Sequence, residues 1–153
     1  MKKVGLIILI VFIVFSLVAC SFSITNEDRN NLGLHGDWAY KLPNNYEIWR
    51  INSRSIVFGE KKDTNSINIL IDRYVSAFRY NDKIIALQCV DVPESLTEPI
   101  DISNPDYYII DIANGEIYGE FSVDEYENKL SEFETNELTD WIYSVPTPED
   151  VYY

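Results

Sequence analysis

An uncharged run from Val4 to Val18, preceded by Lys2-Lys3 and closed by Ala19-Cys20-Ser21, divides this 153-residue sequence before any folding argument begins. Lysines hold the start of such a segment on the cytoplasmic side while the apolar stretch enters the membrane. Residues 1–19 therefore read as a signal peptide and not as part of a core. The run falls short of the roughly 20 residues that span a bilayer comfortably. An uncleaved transmembrane anchor, extended by Ser16, Ala19 and Ser21, is the alternative. In both readings the rest of the chain faces away from the cytoplasm. Without residues 1–19 the chain keeps ten Lys/Arg against 25 Asp/Glu. That excess repels phosphate backbones and anionic headgroups, which argues against nucleic acid and against electrostatic adhesion to lipid.

Leu17-Val18-Ala19-Cys20 resembles the lipobox of bacterial lipoproteins, an aliphatic residue and two tolerant positions ahead of a cysteine. The resemblance implies diacylglyceryl transfer to the Cys20 thiol and cleavage just before it. One acyl chain binds a membrane marginally, whereas two or three hold a protein almost permanently. Cys20 is accordingly the expected lipidation site, and the expected location is the extracytoplasmic face of the cell membrane. Only one other cysteine exists, Cys89. With Cys20 committed it has no intramolecular partner, so no disulfide framework supports the domain. Its place in the apolar run Ile84–Val92 suits a small buried hydrophobe.

Residues 20–36 are polar and aperiodic and read as a tether between lipid and domain. The globular domain is expected over 37–143, followed by a flexible tail, 144–153, that carries Pro146 and Pro148. Within the domain short β-type runs alternate with turn residues: Trp38–Leu42, Tyr46–Ile51, Ser55–Phe58, Ile67–Ile71, Val75–Tyr80 and Ile84–Val92. Gly59–Asn65 reads as a polar break. Ile67, Ile69 and Ile71 alternate with polar neighbours as in a half-buried strand, while Ile84–Val92 is apolar on both faces, as in a covered central strand. Tyr107–Ile112 and Glu116–Phe121 flank Ala113-Asn114-Gly115, a hairpin signal because Asn-Gly accepts the positive φ such turns need. Ser122-Val123-Asp124-Glu125 has capping-box spacing and opens a helix through Phe133, with Val123, Tyr126, Leu130 and Phe133 as its apolar stripe. A short second helix around Thr139–Tyr143 follows. The fold class is α+β, an antiparallel meander of about six to eight strands with a C-terminal helix packed on it. A small all-β barrel with a helical lid is the alternative.

The stretch Gly36-Asp37-Trp38-Ala39-Tyr40-Lys41-Leu42-Pro43-Asn44-Asn45-Tyr46-Glu47-Ile48-Trp49-Arg50-Ile51-Asn52-Ser53 resembles a family of small uncharacterised lipoproteins of Bacillus-like bacteria, grouped as a domain of unknown function. Tyr107-Tyr108-Ile109-Ile110-Asp111, Ile117-Tyr118-Gly119 and the acidic helix fit the same pattern, so the resemblance covers roughly residues 36 to 133. It implies an extracytoplasmic lipoprotein and carries no activity or catalytic set.

Catalytic constellations are sparse. His35, the single histidine, sits at the edge of the tether, where geometry for a nucleophile–base pair is poorly held. No spacing for zinc, phosphate loops or hydrolase elbows occurs. Neither catalytic residues, nor a cofactor, nor a metal is assigned. Asp101, Asn104 and Asp106 offer oxygen ligands but lack the glycine and terminal glutamate of a calcium loop. Paired-carboxylate hydrolysis in the envelope is the enzymatic alternative, with Asp111 the acid best placed for partial burial. Trp38, Trp49, Tyr107 and Tyr118 invite a carbohydrate-stacking reading, against which ordinary core and cross-strand roles are preferred.

Charge is the most informative remaining feature. Residues 20–83 hold nine Lys/Arg and eight Asp/Glu; residues 84–153 hold Lys129 alone against seventeen acids. Such asymmetry keeps a domain soluble and also steers cationic partners. The expected function is a non-enzymatic binding or interaction module. A cationic peptide or protein would meet Asp124, Glu125, Glu127, Glu132 and Glu134. A purely structural envelope role is a further alternative.

Overall fold

Alternating side chains and a few turn residues account for most of the architecture. The computed structural model describes residues 37–63, 66–133 and 135–152, with the backbone alone for Tyr152. These residues form β1 (Trp38–Lys41), β2 (Tyr46–Asn52), β3 (Ser55–Asp63), β4 (Ser66–Ile71), β5 (Tyr74–Tyr80), β6 (Ile84–Val90), β7 (Asp106–Asp111) and β8 (Glu116–Phe121). The helix α1 (Val123–Leu130) and two short strands, β9 (Ile142–Tyr143) and β10 (Val151–Tyr152), complete them. All belong to one compact unit. Between β1 and β2, Asn44 and Asn45 lie at φ 57° and 64°, the left-handed region that asparagine tolerates better than most residues. In the β7–β8 hairpin Gly115 alone of the Asn-Gly pair takes positive φ, 73°, and its N–H donates to the Asp111 carbonyl at 2.8 Å.

Two five-stranded antiparallel sheets result, in the orders β10-β1-β2-β3-β4 and β8-β7-β6-β5-β9. Each is a four-strand meander with a two-residue strand from the C-terminal segment added beside its first strand. Neither sheet closes on itself, so the fold is α+β and not the barrel alternative. The inner faces share one apolar cluster. Tyr40, Ile48 and Phe58 of the first sheet meet Phe78, Leu87 and Ile110 of the second, and the Tyr40 and Phe78 rings stand edge to face at 4.8 Å. A smaller cluster covers the outer face of the second sheet, where Tyr126 and Leu130 of α1 pack on Ile84, Ala86 and Ile109. That double covering is why β6 is apolar at nearly every position.

The helix opens as its spacing demands: Glu125 Oε2 accepts from the Ser122 amide at 2.9 Å and from its hydroxyl at 2.7 Å. It ends at Leu130, one turn before Phe133, and Val123 is 53% exposed, outside the apolar stripe expected of it.

Three further expectations are corrected. Gly59 is buried within β3, which runs on to Asp63 through the stretch read as a break. Residues 139–143 are not helical: 139–141 have no regular structure and Ile142–Tyr143 form β9. The Thr139 and Ser144 amides donate to the Tyr80 and Ser76 carbonyls at 3.0 and 2.9 Å, supplying partners to the edge of β5. From the segment read as a tail, Tyr152 and Val151 pair with Ala39 and Tyr40 of β1, and the Ser144 side chain is fully buried. Residues 1–36, with the signal peptide, Cys20 and the tether containing His35, lie outside the described residues.

Candidate functional site

The charge asymmetry of the sequence maps onto the two sheets. Residues 37–72, which make β1 to β4, hold five Lys/Arg and five Asp/Glu; residues 73–153, which make the second sheet, its helix and the short β10 added to the first sheet, hold four against eighteen. The surroundings of three of these cations are as follows. Arg73 is ringed by carboxylates, Arg79 is stacked beneath the helix, and Lys129 pairs with Glu132 at 2.7 Å while lying 4.3 Å from the Tyr118 ring centre. The second half therefore presents an acidic surface with few compensating charges.

Of the five acids expected to meet a partner, Asp124, Glu125, Glu127 and Glu132 are all exposed, while Glu134 lies outside the described residues. They are not equivalent. Glu125 is committed to the capping box, and the hydroxyl and then the amide of Ser122 hold its carboxyl below the usual range. Glu132 is tied to Lys129. Asp124 and Glu127 carry no such commitment to the helix itself, and being three residues apart they neighbour one another on its surface.

A second cluster, which sequence reasoning did not assemble, gathers at the end of the sheets where β4 hands over to β5. Arg73 Nη1 donates to Asp106 Oδ2 at 2.8 Å and lies 3.0 Å from Glu120 Oε1; Nη2 lies 3.0 Å from Asp91 Oδ1. The Tyr108 hydroxyl, 3.4 Å from Nη1, donates to Glu120 Oε1 at 2.8 Å. Burial works against the Arg73 charge, but hydrogen bonds to Tyr108 and Asp106 outweigh it and stabilise the cation. One guanidinium thus joins the ends of β5, β6, β7 and β8. A cleft of about 230 Å³ lies beside it, walled by Arg54, Asp72, Arg73, Tyr74 and Asp91. Arg54 is itself engaged, donating to the carbonyls of Pro93 and Glu98 and so pinning the loop that follows β6. The cluster's evident role is mechanical.

Other singled-out residues are placed as follows. Asp111 Oδ1 accepts from the Ala113 amide at 2.9 Å and shapes the hairpin loop. Asp101 accepts from the Ser103 amide at 2.9 Å, while Asp106 turns to Arg73, so the two do not share a cation. Among the described residues no three His, Cys, Asp or Glu side chains are grouped to hold a metal. Cys89 is fully buried, and burial pushes its thiol up to about 12, so it stays protonated at neutral pH. Trp38 is in the core; Tyr107 stacks on Tyr126 at 4.7 Å; Trp141 takes the Arg79 guanidinium 4.6 Å above its ring. Glu47, the most buried acid among the described residues, escaped notice. It is 3% exposed and accepts from Lys61 Nζ at 3.0 Å and from the Trp49 indole. The signal was present: Glu47 and Trp49 are two apart on a strand and so share a face.

A family of proteins of unknown function, DUF3997, matches residues 43–140 of this chain. The chain belongs to that family, since the match spans more than half its length. No curated protein matches it. No solved structure does so either.

Proposed function

We propose that the chain is a lipid-anchored extracytoplasmic interaction module, held by Cys20 and receiving a cationic peptide or protein on the acidic surface of its second sheet. The observation that carries the binding reading is the partition of charge between the two sheets. The strands β1 to β4 are balanced, and the second meander with its helix exposes many carboxylates over an intact core, a surface that attracts cations across a Debye length. The lipobox resemblance at Leu17–Cys20 supports the anchor. An acid intended for hydrolysis would sit in an apolar pocket with a second carboxyl at a fixed distance; Asp106 and Glu120 instead converge on one arginine nitrogen.

The test is capture from envelope extracts on the anchored chain, wild type against a variant with Asp124→Asn and Glu125, Glu127, Glu132 and Glu134→Gln. Gln at 125 keeps the capping box, so the helix survives. Association of the captured protein should slow by about tenfold in the variant and weaken as salt is raised. Capture indifferent both to the substitutions and to salt contradicts the proposal.

A further inference from the structure

The sequence contains a single Asn-Gly step, Asn114-Gly115, and the fold sets it at the exposed end of the β7–β8 hairpin. The pair is chemically reactive as well as turn-forming. Gly115 has no side chain to shield its amide nitrogen, the atom able to attack the Asn114 carboxamide. The loop around it is locked, however. The Ile112 amide donates to the Lys83 carbonyl and the Ala113 amide to Asp111 Oδ1, both at 2.9 Å. The Gly115 amide is itself spent on the Asp111 carbonyl. Asn114 Oδ1 accepts from the Glu116 amide at 2.8 Å, and Nδ2 donates to Glu116 Oε2 at 3.4 Å, so the carboxamide is held forward on Glu116.

We infer that Asn114 is a modification site, a deamidating residue that the closed hairpin holds in check and that opening of the hairpin releases. The Gly115 nitrogen, giving its proton to solvent hydroxide, bonds to Asn114 Cγ. The Cγ–Nδ2 bond breaks, and Nδ2 takes a proton from water and leaves as ammonia. Water then opens the resulting ring at either carbonyl, giving aspartate or, with the main chain rerouted through the side chain, isoaspartate. Neither rearrangement can begin in the closed loop. The Gly115 amide must first leave the Asp111 carbonyl, and the Asn114 carboxamide must let go of Glu116 and swing its Cγ back. Both products place a new carboxylate between Asp111 and Glu116 and so add to the acidic surface. The isoaspartyl product also lengthens the main chain inside the short loop, which then no longer matches the Asp111↔Glu116 pairing. This chemistry is independent of the function proposed above.

Peptide mass spectrometry of the full chain, aged in detergent at mildly alkaline pH with and without guanidinium chloride, tests it. In the unfolded chain Asn114 should convert faster than every other asparagine and yield both aspartate and isoaspartate. In the folded chain its conversion should be slower by about tenfold or more, because two hydrogen bonds must open first. Asn114→Gln, at an exposed position, should leave that peptide unconverted in both conditions, since the larger ring it would need closes far more slowly. Equal rates in the folded and unfolded chain, an unfolded chain in which another asparagine converts first, or conversion of the Asn114→Gln peptide at the wild-type pace overturns the inference.

Discussion

Phe78→Ala should destabilise the domain by about 3–5 kcal/mol, the range for removing a buried phenylalanine and leaving a partly collapsed cavity. Phe78 is fully buried at the centre of β5 and meets Tyr40 of the other sheet edge to face. Its loss should therefore be felt by both sheets, and not by the second alone. Equilibrium unfolding in urea followed by circular dichroism and by tryptophan fluorescence should give one shared, lowered midpoint, since Trp38 reports from β1 and Trp141 from beside α1. A loss below about 1 kcal/mol, within reach of ordinary surface substitutions, would mean that the sheets do not share a core.

Gly59→Ala should cost about 1–3 kcal/mol, as overpacking in a closed region does. A Cβ at Gly59 would collide with the Asn68 carbonyl oxygen and stand 2.7 Å from a side-chain carbon of Ile67. The first is backbone of the neighbouring strand and has little freedom to retreat. Position 59 also marks the register step between β3 and β4, where a glycine permits close approach. Were Gly59 part of an open polar turn, the same substitution would change stability by no more than about 0.5 kcal/mol. Thermal unfolding of the single variant separates the two outcomes.

Legibility in the sequence followed how local each cause was. The β7–β8 hairpin and the opening of α1 were readable because their determinants, Gly115 and the Ser122–Glu125 reciprocal bonds, lie within a few residues of one another. The burial of β6 was readable because two covered faces leave no polar period. The pairing of neighbouring strands was readable, since a meander pairs neighbours in sequence, whereas their division into two packed sheets was not. What escaped had tertiary causes. Gly59 looks like punctuation until the carbonyl of Asn68 is placed against it. Ile142–Tyr143 becomes a strand because β5 has an edge to satisfy, and because Trp141 gains Tyr107, Tyr126 and Arg79 as neighbours. Two-residue β10 is likewise defined by β1 and not by its own residues.

The acidic surface was visible as a count and not as a shape. That the boundary between balanced and acidic residues coincides with the passage from β4 to β5, at Arg73, emerged only with the topology. The Arg73 cluster could not be read beforehand, since its partners lie 18, 33 and 47 residues downstream at Asp91, Asp106 and Glu120. Glu47 was hidden by the habit of placing acids outside, although burying a carboxylate is tolerable when a lysine and an indole N–H meet it.

The anchor decides which compartment a partner must come from, so labelling of Cys20 is the most direct test of the account. In a bacterium fed a labelled fatty acid, the wild-type chain should carry the label and fractionate with membranes. Cys20→Ser should carry none and should be released or accumulate as an unprocessed precursor. Labelling that persists in Cys20→Ser, or a wild-type chain that is never labelled, contradicts the proposal that this domain is held outside the membrane by lipid.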